Sequence, residues 1–368
     1  MTPTQSDTCL AAVFHGVDHP LHLESFPIPT PASGEAVVEI ECCTICGSDL
    51  HTITGKRIEP TPSILGHEIL GIVQSIGSTN LVDVNGETLN VGDRVTWSTC
   101  ISCGACERCL SGLPQKCHHI AKYGHDVAEG RAALSGGLAE YILLRPGTSI
   151  VKVPQSISSK VICPVNCATA TVMAAYRMAG DVVGKRVLIF GAGMLGLTAI
   201  AVAKSRGAKQ VAVCDLDTRR LDQAREFGCD EAVTWHDDVH ELKTSLLDGE
   251  FDIVLELSGS PDAVEMACQL AAIGGQIVLV GSVMSSRDVT FNPEQIVRRW
   301  LSIRGVHNYA PQDLVTAVEF LEQHSEYYPF ENLVERSFPL TQVNEAVAFA
   351  SEHRPVRVAI HPDNEVEQ

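Results

Sequence analysis

Four apolar residues, Val187-Leu188-Ile189-Phe190, run without a break into Gly191-Ala192-Gly193-Met194-Leu195-Gly196, and an apolar segment of helical character follows. A strand that enters such a turn and leaves as a helix can be built in few ways. The glycines permit the tight turn, and the helix N-terminus beyond them offers free backbone N–H groups to an anion such as a pyrophosphate. A glycine triad alone is weak evidence. Here Asp215 follows about twenty residues on, at the end of a second apolar run, Val211-Ala212-Val213-Cys214. A carboxylate at that place binds both adenosine ribose hydroxyls and repels a 2′-phosphate, so NAD is expected in preference to NADP. Arg220 either packs along the ribose or is a solvated helix arginine.

The chain around this motif has two textures. Up to about residue 155 it is rich in Gly, Pro and short β-branched runs such as Ala36-Val37-Val38-Glu39-Ile40 and Arg94-Val95-Thr96-Trp97, which predicts an irregular β domain. Beyond it, strands are predicted at Arg186–Phe190, Gln210–Cys214, Glu231–Thr234, Asp252–Glu256, Gln276–Val280 and Leu301–Gly305. Helices are expected between them, at Met194–Arg206, Thr218–Phe227 and Asp262–Ala272. That alternation makes an α/β, doubly wound parallel sheet. Two helical stretches, Pro311–His324 and Gln342–Ser351, then lead to a last strand, Arg357–Ile360, expected to return to the first domain. The expected divisions are 1–158, 159–307 and 308–368.

A chain of 368 residues can bury two cores. Its formal net charge of −18 would repel a phosphate backbone, which argues against a nucleic-acid partner. The N-terminal stretch MTPTQSDTCLAAVFHG lacks a basic start followed by an apolar core, so no secretory signal is read. The most apolar stretch, Val187 to Val202, is short and broken by glycines, so no membrane span is expected. The 14 cysteines fall partly at metal-ligand spacings, which favours reduced thiolates and the cytoplasm over disulfides.

Cys103, Cys106 and Cys109 stand two residues apart, and Cys117 follows eight residues on. Four thiolates so spaced can fold a short loop around one tetrahedral zinc with no open position, a structural site. An iron–sulfur cluster is the competing reading. Cys100 lies outside the quartet and is read as a bystander. Two further pieces, Cys46-Gly-Ser48-Asp49-Leu-His51 and Gly66-His67-Glu68, join with Cys167 in Asn166-Cys167-Ala-Thr-Ala-Thr171. Together they supply two thiolates and an imidazole and leave one position open, as a catalytic zinc requires.

These motifs, in this order, resemble the zinc-containing branch of the medium-chain dehydrogenase/reductase superfamily over nearly the whole chain. The resemblance implies a Rossmann domain inserted into a GroES-like, mostly β catalytic domain, with the active site in the cleft between them. It also implies an alcohol dehydrogenase or carbonyl reductase that carries two zinc ions, one structural and one catalytic, and moves a hydride between a substrate carbon and NAD. Cys46, His67 and Cys167 match the catalytic zinc ligands. Ser48 and His51 match a proton relay, although a helix-capping role also suits Ser48. Asp49 matches a carboxylate that orients the zinc-bound histidine, and Glu68 an acid that can ligate transiently. Thr171 and Val280 match positions lining the nicotinamide, and Arg357 a basic position near the pyrophosphate and Asp49. A homo-oligomer, dimer or tetramer, is implied too, joined at the sheet edge Leu301–Gly305.

The substrate is less constrained. In the family the place of Arg57 lines the substrate channel. An arginine there suits a carboxylate, phosphate or phosphonate, whereas a solvated loop arginine is the plain alternative. The segments around Cys46, Lys122-Tyr-Gly-His125 and Asn166–Thr171 resemble alcohol dehydrogenases associated with bacterial phosphonate catabolism. Threonine-, polyol- and simple-alcohol-type members stay open. Two other classes fit less well: a zinc-free quinone reductase does not need Cys46, His67 and Cys167, and a zinc ribbon serving a partner does not need the dinucleotide turn.

Overall fold

The computed structural model describes residues 7–246 and 249–362; residues 1–6 of the stretch read above for a signal lie outside them. The chain divides into two compact units. One comprises Met1–Cys167, Ala310–Gln323 and Phe330–Gln368, and the other Ala168–Tyr309 with His324–Pro329. No helix among the described residues is long and apolar enough to cross a membrane.

The first unit is built on strands. Its largest sheet runs, from edge to edge, Ile150–Lys152, Arg94–Trp97, Glu68–Ile76, Ala36–Thr44, Arg357–His361 and Val334–Pro339, with Tyr141–Leu144 added along Ala36–Thr44. The long central pair is antiparallel, and its apolar positions are buried on both faces. The C-terminal strand Arg357–His361 lies antiparallel to Ala36–Thr44, with Ile360 opposite Cys43. Before it, the helix Val343–His353 turns Val343, Ala346 and Ala350 into the core that holds Trp97, Tyr123 and Ile69, the i, i+3, i+7 stripe of an amphipathic helix.

The unit boundary falls nine residues later than position 158 (167 − 158). The helical turns Ser159–Ile162 and Cys163–Asn166 carry the first unit past position 158, and their residues Ile162 to Asn166 are buried. The Asn166 amide nitrogen donates to the carbonyls of His67 and Trp97, both at 2.9 Å, and its oxygen accepts from the Ile69 N–H at 3.2 Å. This one side chain ties the segment to two strands of the first unit.

The second unit is a six-stranded, all-parallel sheet in the order Glu231–Thr234, Gln210–Asp215, Arg186–Phe190, Phe251–Glu256, Ala271–Leu279 and Ser302–Gly305. Numbered along the chain that is 3-2-1-4-5-6, the order of a Rossmann sheet. Strands buried on both faces read as unbroken apolar runs, which is why Val187–Phe190 and Val211–Cys214 stand out in the sequence. The helix expected to reach Ala272 ends at Leu270, because Ala271 is already extended and begins the next strand. Three helices were not anticipated: Ala168–Ala179, Val239–Ser245 and Pro293–Arg298. The last two carry start signals, with Asp238 accepting from His240 and Glu241 N–H, and Asn292 capping ahead of Pro293.

Candidate active site and metal centres

Cys46 immediately precedes the helix Gly47–Ile53, and Asp49, in the helix's first turn, folds back on it. One Asp49 oxygen accepts the Cys46 N–H at 2.8 Å. The other accepts the Gly66 N–H at 3.3 Å and faces His67 Nδ1 at 3.2 Å. Asp49 is thus buried between two separate pieces of chain and fixes both. With Nδ1 turned to the carboxylate, His67 Nε2 is the nitrogen left for a metal, and Ser48 Oγ lies 3.3 Å from it.

Glu68 opens its strand fully buried. It accepts the Thr44 hydroxyl at 2.6 Å and takes Arg357 in two contacts, Nε–Oε2 at 2.6 Å and Nη2–Oε1 at 2.7 Å. Arg357 Nη2 also reaches within 3.7 Å of Cys46 Sγ. Arg357 therefore pairs with Glu68, not with Asp49, and the reason is its strand: Arg357–His361 runs beside Ala36–Thr44, whose Thr44 stands opposite Glu68.

The ligand atoms of Cys46, His67, Glu68 and Cys167 all lie within 4.8 Å of one another. The set draws positive charge. Cys46 is held well below the usual thiol range, first by the Cys167 thiol that donates to it and, against burial, by the Arg357 charge. Burial opposes charge on His67, but Asp49 and Cys46 outweigh it and hold its pKa well above the ordinary value. Two thiolates and an imidazole with these neighbours fit a zinc ion, and the Glu68 carboxylate beside them is taken up by Thr44 and Arg357.

The second cluster is Cys103, Cys106, Cys109 and Cys117, again within 4.8 Å of one another. Adjacent Sγ atoms are 3.4 to 3.8 Å apart. Four sulfurs at the 2.3 Å bond length of tetrahedral zinc are separated by about 3.8 Å, so the quartet fits that ion. Backbone N–H groups of Cys103 and His119 point at Cys117 Sγ, both at 3.3 Å. Those of His118 and Cys109 bring the Cys106 thiol down to about 5. Cys100 is buried on a strand paired with Ala121–Lys122 and does not join the quartet.

In the second unit, a Cβ on Gly196 would lie 1.9 Å from the Gly191 carbonyl, so only glycine lets the helix Met194–Ser205 start where it does. Met194 and Leu195 form its first turn. Asp215 Oδ2 accepts the Ala192 N–H at 2.6 Å and Oδ1 the Asp217 N–H at 2.9 Å, which locks the acid to the glycine turn. Arg220 is half-buried, and its guanidinium makes no hydrogen bond or ion pair among the described residues. Thr171 lies in the first turn of Ala168–Ala179, and Val280 is buried with its N–H on the Glu256 carbonyl at 2.9 Å.

Glu256 itself escaped the sequence reading. Fully buried at the end of its strand, one of its oxygens accepts Ser258 N–H, Ser258 Oγ and Gly259 N–H at 2.7 Å each; the other takes Ser282 Oγ at 3.2 Å. It organises the two loops that follow neighbouring strands. The signal available was an acid closing the apolar run Phe251–Glu256 before Ser-Gly-Ser.

Two placements bear on the substrate. His51 is half-buried near its helix end, and its imidazole has no hydrogen bond among the described residues. Arg57 is not an open guanidinium: its Nε sits 2.6 Å from Glu59 Oε1. The same oxygen lies 3.2 Å from His125 Nδ1, and the His125 ring packs on His67 with centroids 5.1 Å apart.

Comparison with known proteins agrees with this arrangement. Residues 32–155 match the alcohol dehydrogenase GroES-like domain family, and residues 195–323 the zinc-binding dehydrogenase family. Sorbitol dehydrogenase of Bacillus subtilis is 29% identical over 371 residues, covering 99% of this chain and 100% of that one. L-Threonine 3-dehydrogenase of Pyrococcus horikoshii is 34% identical over 289 residues, 76% of this chain and 77% of that one. An alcohol dehydrogenase structure from Thermotoga maritima superposes with a TM-score of 0.91 at 28% identity, covering 97% of this chain and all of that one. A GroES-like unit interrupted by a Rossmann sheet, with a thiolate and imidazole metal set, defines a zinc-type dehydrogenase. The chain belongs to the zinc-dependent alcohol dehydrogenases of the medium-chain dehydrogenase/reductase superfamily, NAD-linked oxidoreductases that include the sorbitol and threonine enzymes.

Proposed function

We propose that this dehydrogenase oxidises a hydroxyl-rich or amino alcohol, or reduces the matching carbonyl, and that each chain carries two zinc ions. The observation that carries the reading is the convergence of Cys46, His67, Glu68 and Cys167 within 4.8 Å, with Ser48 beside His67. Zinc held by Cys46, His67 and Cys167 would supply Lewis-acid polarisation of the substrate oxygen, and NAD on the glycine turn, with Thr171 and Val280 toward its nicotinamide, would accept the hydride. The chain's own groups do the rest. Asp49 holds His67 in the tautomer that leaves Nε2 free. Ser48 Oγ takes the alcohol proton, and His51, half-buried, leads it toward solvent. The Glu68–Arg357 pair sets the charge behind Cys46. Asp215 selects NAD by repelling a 2′-phosphate.

An anionic substrate is the second reading, and it requires Arg57 to give up Glu59 for a carboxylate or phosphonate. The ion pair favours an uncharged alcohol of the kind named in the sorbitol relative. We assign the chain to the cytoplasm, where thiolate clusters stay reduced, and we read it as a homo-oligomer joined at the edge strand Ser302–Gly305.

The test is elemental analysis with a substrate panel. The wild type should hold two zinc ions per chain and reduce NAD with polyols or amino alcohols. Cys46→Ser should lose one zinc and all turnover while its circular dichroism is unchanged. Full turnover in the Cys46→Ser protein, or a wild type with one zinc that added metal does not raise, overturns the reading.

A further inference from the structure

The wall beside the first metal centre is a relay of charges that the sequence alone does not reveal. His67 packs on His125, His125 Nδ1 faces Glu59 Oε1, and the same oxygen holds Arg57. His125 and Glu59 are largely buried, with side chains 7% and 12% exposed, while Arg57 keeps 30%. Burial works to raise the Glu59 carboxyl, yet His125 and Arg57 outweigh it and keep it below its ordinary value, so it is ionised at neutral pH. Arg57 and Glu59 offset each other, one guanidinium against one carboxylate. Glu59 brings the carboxylate of this cluster against the Arg57 guanidinium and the His125 ring together.

We propose that Glu59 is a specificity-determining residue: its carboxylate already occupies and neutralises Arg57, so the substrate group met at this wall is a hydrogen-bond donor, a hydroxyl or an ammonium, and not an anion. The physics is that of an occupied counter-ion. A free arginine beside the metal centre would offer two parallel donors to an incoming carboxylate or phosphonate. With Glu59 already there, an anion must either displace a partly buried carboxylate or approach it closely, and both are repulsive in a medium of low dielectric. A donor meets neither obstacle. The inference rests on the proposed function only for the statement that substrate lies at this wall.

The test uses three ligands that share the CH3–CHOH–CH2 skeleton: propane-1,2-diol, 1-amino-2-propanol and 3-hydroxybutyrate. Each is titrated by calorimetry into the zinc-loaded, NADH-bound protein. The wild type should bind the ammonium at least about tenfold more tightly than the carboxylate. Glu59→Gln keeps the shape and removes the charge; it should lower that ratio by about tenfold or more. Arg57→Gln leaves Glu59 unpaired and should raise the ratio further, which keeps the inference testable if Glu59→Gln does not fold. A wild type that prefers 3-hydroxybutyrate, a ratio unmoved in both variants, or no binding of any of the three overturns it. Failure of the proposed function is read separately, as missing zinc or as no NAD reduction across an alcohol panel.

Discussion

Arg357 and Glu68 are charges withdrawn from water within reach of Cys46. Such a pair survives because each partner fills the other's hydrogen-bonding capacity: Glu68 accepts from Arg357 and Thr44, and Arg357 Nη1 donates to the Val356 carbonyl at 2.8 Å. Removing one partner strands the other. Burial already works to raise the Glu68 carboxyl against the pull of Arg357, so Arg357→Leu leaves a fully buried acid without its counter-charge and should lower the unfolding free energy by about 3–5 kcal/mol in a urea titration. The double variant Glu68→Gln, Arg357→Leu should recover part of that loss, because a carboxamide needs no counter-charge. A single variant within about 1 kcal/mol of wild type would mean that water or a neighbouring group already compensates Glu68. At this scale the sequence reading named these two residues but not their pairing. It had Glu68 and Arg357 near one centre, yet only the register of Arg357–His361 against Ala36–Thr44 brings a residue 289 positions away onto Glu68.

At the scale of elements, Asp215 joins the end of one strand to the turn after another. Its two oxygens accept Ala192 N–H and Asp217 N–H, and each keeps a lone pair for a ribose hydroxyl. Asp215→Ser should weaken NAD binding, since it loosens the glycine turn and removes a ribose acceptor. It should also narrow the gap between NAD and NADP, measured as the ratio of kcat/KM with the two cofactors. A wild type that already prefers NADP would refute the role given to this acid. The strands of this unit and the helices Met194–Ser205, Thr218–Glu226 and Pro261–Leu270 were legible because each buries both faces or one clear stripe, and because glycine, proline and aspartate mark their ends. The candidate substrate wall was not. Arg57 reads as one exposed charge in a loop, and its neutralisation by Glu59 depends on the loop's path. His125 reaches His67 because Gly124, at φ +76°, lets that chain close on Gly66: a Cβ there would sit 2.5 Å from the Gly66 carbonyl. Close approaches of this kind leave no periodic trace in a sequence.

For the whole molecule the open question is how the Rossmann sheet ends. Among the described residues Ser302–Gly305 pairs on one side only, with Ala271–Leu279, and so presents a row of backbone donors and acceptors. Beside it stand Trp300, 82% exposed, Val297, 79%, and Ile273, 76%, apolar side chains that a lone chain would leave in water. Trp300 also holds φ at +53°, a left-handed conformation that costs a bulky residue about 1–3 kcal/mol. An exposed edge, an apolar fringe and a strained tryptophan together fit a surface covered by a second copy, since a two-fold axis beside an edge strand lets the same residues meet themselves. Light scattering at micromolar concentration should give at least twice the 39.6 kDa of one chain. Val297→Glu with Trp300→Glu should shift that mass toward the single chain and leave circular dichroism and zinc content unchanged, because neither side chain belongs to the core of its own subunit. A wild type with the mass of one chain removes the oligomer without touching the chemistry at Cys46. A double variant that keeps the wild-type mass would move the interface to another surface, and Trp300 would then be strained for a reason internal to its own turn, where its N–H meets the Val297 carbonyl at 3.3 Å.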